Sequence, residues 1–94
     1  MRIRWTTPAT RQLAEAFAYV AEDSERAARS MVRRIWKAVD VLRQHPLAGR
    51  KRRVAGSREL VVRGTAFVVG YQIKGNEVQV LAVWHAARRW PEEF

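Results

Sequence analysis

Three runs of apolar, β-branched or aromatic residues dominate the second half of the chain, at residues 60–62, 67–73 and 78–84. The two gaps between them carry Gly64-Thr65 and Lys74-Gly75-Asn76. Short gaps that contain glycine or asparagine between such runs are typical of antiparallel strands joined by tight turns. The second half of the chain is therefore predicted to form a three-stranded antiparallel meander.

The last of these runs is predicted to be a central strand. Successive side chains of a strand point to opposite faces of its sheet. The two predicted faces consist of Val78, Val80, Ala82 and Trp84 on one side, and of Gln79, Leu81, Val83 and His85 on the other. Because both sets are largely apolar, we expect the strand to be covered on at least one side.

The first half of the chain predicts a short strand and two helices. Residues 2–6 alternate between basic and apolar types, as a strand does. Thr7-Pro8 supplies an N-cap and a favoured first helical residue, and apolar residues then recur at helical spacing to about residue 21. Ser24 is expected to cap a longer helix that ends before Pro46, because the residue preceding a proline is pushed out of the helical region.

The second helix carries an apolar stripe that is expected to pack in the core, formed by Ala28, Val32, Ile35, Val39 and Leu42 and widened by Met31 and Trp36. With few residues between them, the two helices should form an antiparallel hairpin on the sheet. The predicted class is α+β, with an N-terminal strand, an antiparallel helical hairpin and then the meander. A length of 94 residues suits a single domain with one core, spanning residues 1–94.

Charge is the strongest compositional signal. Lys and Arg number 18 against nine Asp and Glu, which gives a formal net charge of +9. A field of this sign concentrates anionic partners, namely nucleic acid, an acidic protein or an anionic membrane surface. The densest run, residues 50–53, is expected to be a loop that is either solvated or in contact with an anion. Glu59, beside Arg58 and Arg63, is expected to form a salt bridge, and Tyr71 to lie in the core.

Several kinds of chemistry are excluded or disfavoured by composition. The chain has no cysteine, which excludes disulfides, thiolate metal sites and thiol nucleophiles. Two histidines without a nearby carboxylate cluster argue against a metal site, and we expect no cofactor. No apolar run approaches the roughly 18 residues that a membrane span needs, and the N-terminus does not have the pattern of a signal peptide. We therefore expect a cytoplasmic protein with no membrane partner.

Five sequence blocks, in order, resemble the ParE/RelE superfamily of toxins from bacterial type II toxin–antitoxin modules. They are W-T-T-P-A at residues 5–9, H-P-L-A-G-R at 45–50, R-E-L-V-V at 58–62, F-V-V-G-Y at 67–71 and V-W-H-A-A-R-R-W-P at 83–91. The resemblance implies the fold predicted above. It also implies a cognate antitoxin whose disordered segment wraps the toxin and neutralises it.

The superfamily implies two alternative activities. RelE-like toxins cleave messenger RNA on the ribosome, whereas ParE-like toxins poison DNA gyrase and have no hydrolytic activity of their own. Metal-free RNA cleavage through the 2′-hydroxyl needs a proton acceptor, a proton donor and cations that stabilise the phosphorane. If the chain is a ribonuclease, Arg63, His85 and Arg88 are the candidate catalytic residues, since imidazole suits acid–base chemistry near neutral pH.

The sequence favours the ParE-like alternative. The C-terminal tyrosine found in many RelE-like ribonucleases is missing, and Trp90, which cannot transfer a proton, stands near that place. His85 is more simply interpreted as a structural hydrogen-bonding residue. We therefore expect a gyrase inhibitor with no catalytic residue, whose basic target-binding rim consists of Arg50, Lys51, Arg52, Arg53, Arg58, Arg88 and Arg89. A non-toxic basic module that binds nucleic acid is the third alternative.

Overall fold

A computed structural model of the chain describes residues 1–87. The elements in chain order are β1 Arg2–Trp5, α1 Thr7–Ala21, α2 Glu25–Val41, β2 Arg50–Lys51, β3 Ser57–Val61, β4 Phe67–Lys74 and β5 Glu77–His85. The strands form one sheet in the order β1-β5-β4-β3-β2, and both helices pack on the same side of it. The predicted α+β class is confirmed.

The sheet is mixed and has five strands where the sequence predicts a separate N-terminal strand and three others. The antiparallel meander β3-β4-β5 is confirmed. β1 extends this sheet by pairing parallel to β5, with Ile3 opposite Val78 and Trp5 opposite Val80. Residues 50–51, expected to belong to a loop, pair with β3 as the edge strand β2. A strand of two charged residues has no hydrophobic period that could reveal it.

Both helices begin at capped positions. Thr6, in an extended conformation, caps α1: its Oγ1 accepts a hydrogen bond from the amide of Ala9 at 3.4 Å and donates one to the carbonyl of Val80 at 2.7 Å. The predicted cap at Thr7 is therefore wrong by one residue, since Thr7 is already helical. Ser24 caps α2 as expected and accepts from the amide of Ala27 at 3.1 Å.

The apolar stripe of α2 forms the centre of the core. Ile35, Val39 and Leu42 are almost fully buried against the sheet. Trp36, by contrast, is 54% exposed. Its ring stacks on that of Trp5 with 5.3 Å between the ring centroids. Trp36 therefore lies beside the buried stripe and not within it, because stacking on the edge strand leaves much of its large indole in solvent.

A β-bulge in β5 changes which side chains face the helices. Gly70 pairs with Ala82 and Tyr71 pairs with Val80, so Leu81 has no partner on β4. One extra residue reverses the alternation of every side chain that follows it. The predicted faces are therefore correct up to Val80 and wrong beyond it.

Beyond the bulge, Val83 joins Val80 in the core beneath the helices. Val68, Ala82 and Trp84 form a separate apolar cluster on the opposite face of the sheet. Residues 80–84 of β5 are apolar on both faces, so no polar position close to the bulge marks the change of phase.

The end of β1 leaves part of β5 without a neighbouring strand on that side. Pairing between the two strands stops at Trp5 and Val80. Three residues further along β5, the amide of Val83 donates to Oε1 of Gln12 on α1 at 2.8 Å. A helix side chain thus takes the place of a strand carbonyl and satisfies an amide that the short edge strand does not reach.

We predict that Gln12→Ala lowers the free energy of unfolding by about 1–3 kcal/mol, because it leaves the partly buried amide of Val83 without an acceptor. Urea denaturation measures this change, and Gln44→Ala, at an exposed glutamine, is the control. Equal stability of the two variants would show that water satisfies the Val83 amide equally well.

Candidate functional site

A fully buried tyrosine fixes the segment between α2 and β2. The hydroxyl of Tyr71, in β4, donates to the carbonyl of Pro46 at 2.7 Å and accepts from the amide of Gly49 at 2.9 Å. Burial raises the pKa of Tyr71, while the Gly49 hydrogen bond and the charge of Arg58 act in the opposite direction. We call residues 46–49 the latched loop, since this hydroxyl attaches both of its ends to the middle of the sheet.

Arg58 provides the second attachment of the latched loop. It lies on β3 opposite Tyr71. Its Nη1 donates to the carbonyl of Gly49 at 2.7 Å and to that of Leu47 at 3.3 Å. A half-buried guanidinium therefore binds backbone carbonyls of the chain itself, and these hydrogen bonds are charge-assisted.

Gly49 is required at its position by close packing. A Cβ at this residue would lie 2.7 Å from the carbonyl oxygen of Glu59 and 2.7 Å from the ring and hydroxyl of Tyr71. Neither a strand carbonyl nor a buried aromatic ring can move away easily. Any side chain at this position would therefore push the latched loop off the sheet.

On the other face of the sheet, a buried carboxylate holds two arginines. Glu59 is 6% exposed, pairs in register with Arg50, and forms an ion pair with the Arg50 guanidinium. Nε of Arg52 lies 3.9 Å from the second carboxylate oxygen of Glu59. The expected salt bridge of Glu59 is confirmed, with Arg50 and Arg52 as its partners. Its neighbour Arg58 is not a partner, because alternation along β3 places Arg58 on the helix side of the sheet.

The Arg52 side chain is only 13% exposed. Burial lowers the pKa of Arg52, and the Glu59 carboxylate offsets part of that effect. The guanidinium nevertheless stays charged, because arginine does not deprotonate in proteins. Removing Glu59 would leave two cations together at the edge of the sheet.

The structure places five residues of the predicted basic rim around β2 and the latched loop. Arg50 and Arg52 face Glu59, and Arg58 binds the latched loop. Lys51 and Arg53 are exposed and form no ion pair within residues 1–87. The remaining two, Arg88 and Arg89, lie outside the described residues.

Two of the three candidate catalytic residues lie at the same end of the sheet. Arg63 is exposed in the turn at residues 62–65, just before Phe67, and Phe67 pairs with His85. The imidazole of His85 packs edge-on against the ring of Phe67, with 5.4 Å between the ring centroids. Its Nδ1 accepts a hydrogen bond from the amide of Ala87 at 3.1 Å. Arg88, the third candidate, lies outside the described residues.

A further cation at this end was not identified from the sequence. The guanidinium of Arg34, on α2, lies against Gly64 so closely that its Nη1 is 2.7 Å from where a Cβ would be. Gly64 also has a φ of +81°, which favours glycine. No sequence pattern distinguishes Arg34 from the other exposed arginines of α2. Its position depends on how α2 crosses the sheet.

Within residues 1–87, His85 makes no ion pair and no hydrogen bond to another titratable side chain. No group of His, Cys, Asp or Glu in that part of the chain could hold a metal ion. Neither of the helices there is long and apolar enough to cross a membrane. The described residues at this end of the sheet are therefore cations and one imidazole, whose Nδ1 accepts a hydrogen bond from the backbone.

Comparison with known proteins identifies the family. The family described as "ParE toxin of type II toxin-antitoxin system, parDE" matches residues 3–90. The chain belongs to the ParE toxin family. This confirms the superfamily resemblance of the five sequence blocks, and it confirms that the chain belongs to the ParE-like branch. The family implies an antitoxin partner.

Two individual matches agree with this assignment. The curated protein "Putative toxin Y4kP" of Sinorhizobium fredii (strain NBRC 101917 / NGR234) is 42% identical over 91 residues, which cover 97% of this ParE toxin and 94% of that protein. A solved chain titled "Chromosomal ParDE TA system from P. aeruginosa" superposes with a TM-score of 0.80 at 30% identity, covering 90% of this chain and 95% of that one.

We predict that Tyr71→Phe lowers the free energy of unfolding by about 1–3 kcal/mol at neutral pH, because it leaves the Gly49 amide and the Pro46 carbonyl unpaired. The pKa of Tyr71 is raised in the folded state above its ordinary value of 10.0. The stabilisation by the neutral hydroxyl is therefore complete below pH 10.0, and it is lost as the pH rises through the folded-state pKa.

Urea unfolding between pH 7 and about pH 11 tests both parts of this prediction. The wild-type protein should lose stability above about pH 10 more steeply than Tyr71→Phe. Tyr19→Phe is the control, because Tyr19 is 58% exposed and should keep the wild-type slope. If all three proteins show the same alkaline slope, Tyr71 does not couple its ionisation to folding.

Proposed function

We propose that this ParE toxin arrests growth by binding DNA gyrase in the cytoplasm, and that its cognate antitoxin holds it inactive. Membership of the ParE family supports the toxin role. The observation that carries the choice of mechanism is the hydrogen bonding of His85. Its Nδ1 accepts a hydrogen bond from a backbone amide, and within residues 1–87 no hydrogen bond or ion pair joins it to a second titratable group.

This arrangement suits binding better than proton transfer. Cleavage through the 2′-hydroxyl needs two groups that exchange protons with the reacting oxygens. Tyr71, the tyrosine of the sheet, is fully buried and engaged by two backbone groups, so it cannot be one of them. Arginines can stabilise charge but cannot act as bases. The described residues therefore support a toxin that inhibits by contact.

One observation favours the ribonuclease alternative. Arg63, Arg34 and His85 are all near the turn at residues 62–65, and the first two form no ion pair within residues 1–87. A group of cations beside an imidazole could bind a phosphate. It would then need a proton-transfer partner for the imidazole, which the described residues do not supply.

We predict that wild-type toxin traps purified DNA gyrase on cleaved DNA and blocks supercoiling. The double variant Arg63→Ala/His85→Ala should do the same at a concentration within a few-fold of wild type, because binding needs no proton transfer. The measurement is linear DNA released after detergent and protease treatment. Unaffected supercoiling with no trapped cleavage at saturating toxin would contradict the proposal.

A transcript-cleavage assay in growing cells separates the ribonuclease alternative from the two alternatives that act by binding alone. A ribosome-dependent ribonuclease would cut messenger RNA on induction, and Arg63→Ala/His85→Ala would abolish both the cutting and the growth arrest. A basic module that only binds nucleic acid would affect neither gyrase nor transcripts. It would bind bare DNA or RNA with an affinity that falls steeply with salt.

A further inference from the structure

The latched loop exposes one large apolar side chain, that of Leu47, to solvent. Leu47 is 65% exposed, although Arg58 binds its carbonyl and the Tyr71 hydroxyl binds Pro46 before it and Gly49 two residues after it. Val54, just after β2, is 56% exposed. Neither side chain contributes to the core, so nothing in the fold of the described residues requires an aliphatic group at either position.

Exposed cations lie between these two side chains. Lys51 and Arg53 are solvent-exposed, and the Arg50 side chain is 74% exposed even while paired with Glu59. Within the described residues β2 is the last strand of the sheet, so its outer edge has no neighbouring strand. We call residues 47–54 the rim: a run of four cations, residues 50–53, lies between the exposed aliphatic side chains of Leu47 and Val54.

The rim is held in place before any partner binds. Its first part is held by two hydrogen bonds of the Tyr71 hydroxyl and two of the Arg58 guanidinium. Gly49 allows the close packing that these bonds require, because it has no side chain. The buried carboxylate of Glu59 holds Arg50 and Arg52 in its second part. A surface fixed in this way loses little conformational entropy on binding, which favours docking against a folded partner.

We propose that the rim formed by residues 47–54 docks into an acidic recess on the folded target of the toxin. Leu47 enters an apolar pocket there, and Lys51 and Arg53 face carboxylates. This inference rests on the proposed function, in which the toxin acts by binding a folded protein. Beyond the proposed function, it specifies which residues of the toxin contact the target and which chemical groups the contacted surface of the target carries.

Rigidity and charge favour this occupant over others. A disordered segment would lose conformational entropy when it orders on the rim, so a rim that is already fixed benefits most from a partner that is itself folded. A second copy of the chain would place like charges against each other. Nucleic acid would pair with the cations, but binding to phosphates gives no role to the exposed Leu47 and Val54. A folded acidic surface uses both kinds of side chain.

The test compares variants of the rim with matched variants elsewhere. Leu47→Asp is paired with Val41→Asp, since Val41 on α2 is 51% exposed. Lys51→Glu/Arg53→Glu is paired with Arg33→Glu/Lys37→Glu, which makes the same change of charge on the exposed side of α2. Urea denaturation and titration with the cognate antitoxin show whether each variant still folds and is still recognised.

We expect the two rim variants to need at least about tenfold more protein to trap gyrase, and to lose growth arrest at induction levels where wild type is lethal. Both control variants should act as wild type in these assays. All four should bind the antitoxin within a few-fold of wild type. Arrest and trapping at wild-type levels by both rim variants would overturn the inference.

Three further results separate this inference from the proposed function. If wild type arrests growth without trapping gyrase and the rim variants fail to arrest growth, gyrase is the wrong target and the rim still carries the contact. If the rim variants lose antitoxin binding but keep growth arrest, the inference is overturned. It is also overturned if wild type binds bare duplex DNA at physiological salt and toxicity follows that affinity across the variants.

Discussion

The hydroxyl of Tyr71 is the group on which the arrangement of the basic edge depends. From the centre of β4 it binds the carbonyl of Pro46 and the amide of Gly49, and so determines where the chain goes after α2. β2 follows immediately and pairs with β3, so that Arg50 lies over Glu59. Without this hydroxyl, only the Arg58 hydrogen bonds, the Glu59 ion pairs and the short pairing with β3 would hold this charged strand at the edge of the sheet.

Much of the fold could be predicted because its main elements carry a strong hydrophobic period. The stripe of α2 and the meander of β3, β4 and β5 are examples. The bulge at Leu81 could not be predicted, since residues 80–84 are apolar on both faces of β5 and a change of phase among them leaves no trace in the pattern. β1 was recognised as a strand, but a parallel pairing between two strands so far apart in sequence is set by the packing of the helices between them.

The candidate site was predicted only in outline. The run of basic residues at 50–53 was evident from the sequence, but the internal partners of those residues were not. Glu59 and the latched loop bind Arg50, Arg52 and Arg58, and these contacts depend on strand register and on backbone carbonyls, which no spacing of side chains encodes. Arginines of the edge thus fix its shape, while Lys51 and Arg53 remain available to a partner.

Native-state hydrogen exchange at the Gly49 amide tests this account most directly. If the Tyr71 hydroxyl fixes the latched loop, the amide should exchange only through large opening of the sheet, with protection close to that of core amides in β4. Tyr71→Phe should increase its exchange rate at least about tenfold while the amide of Val69 stays protected. Exchange of the wild-type Gly49 amide at the rate of an exposed loop would contradict the account.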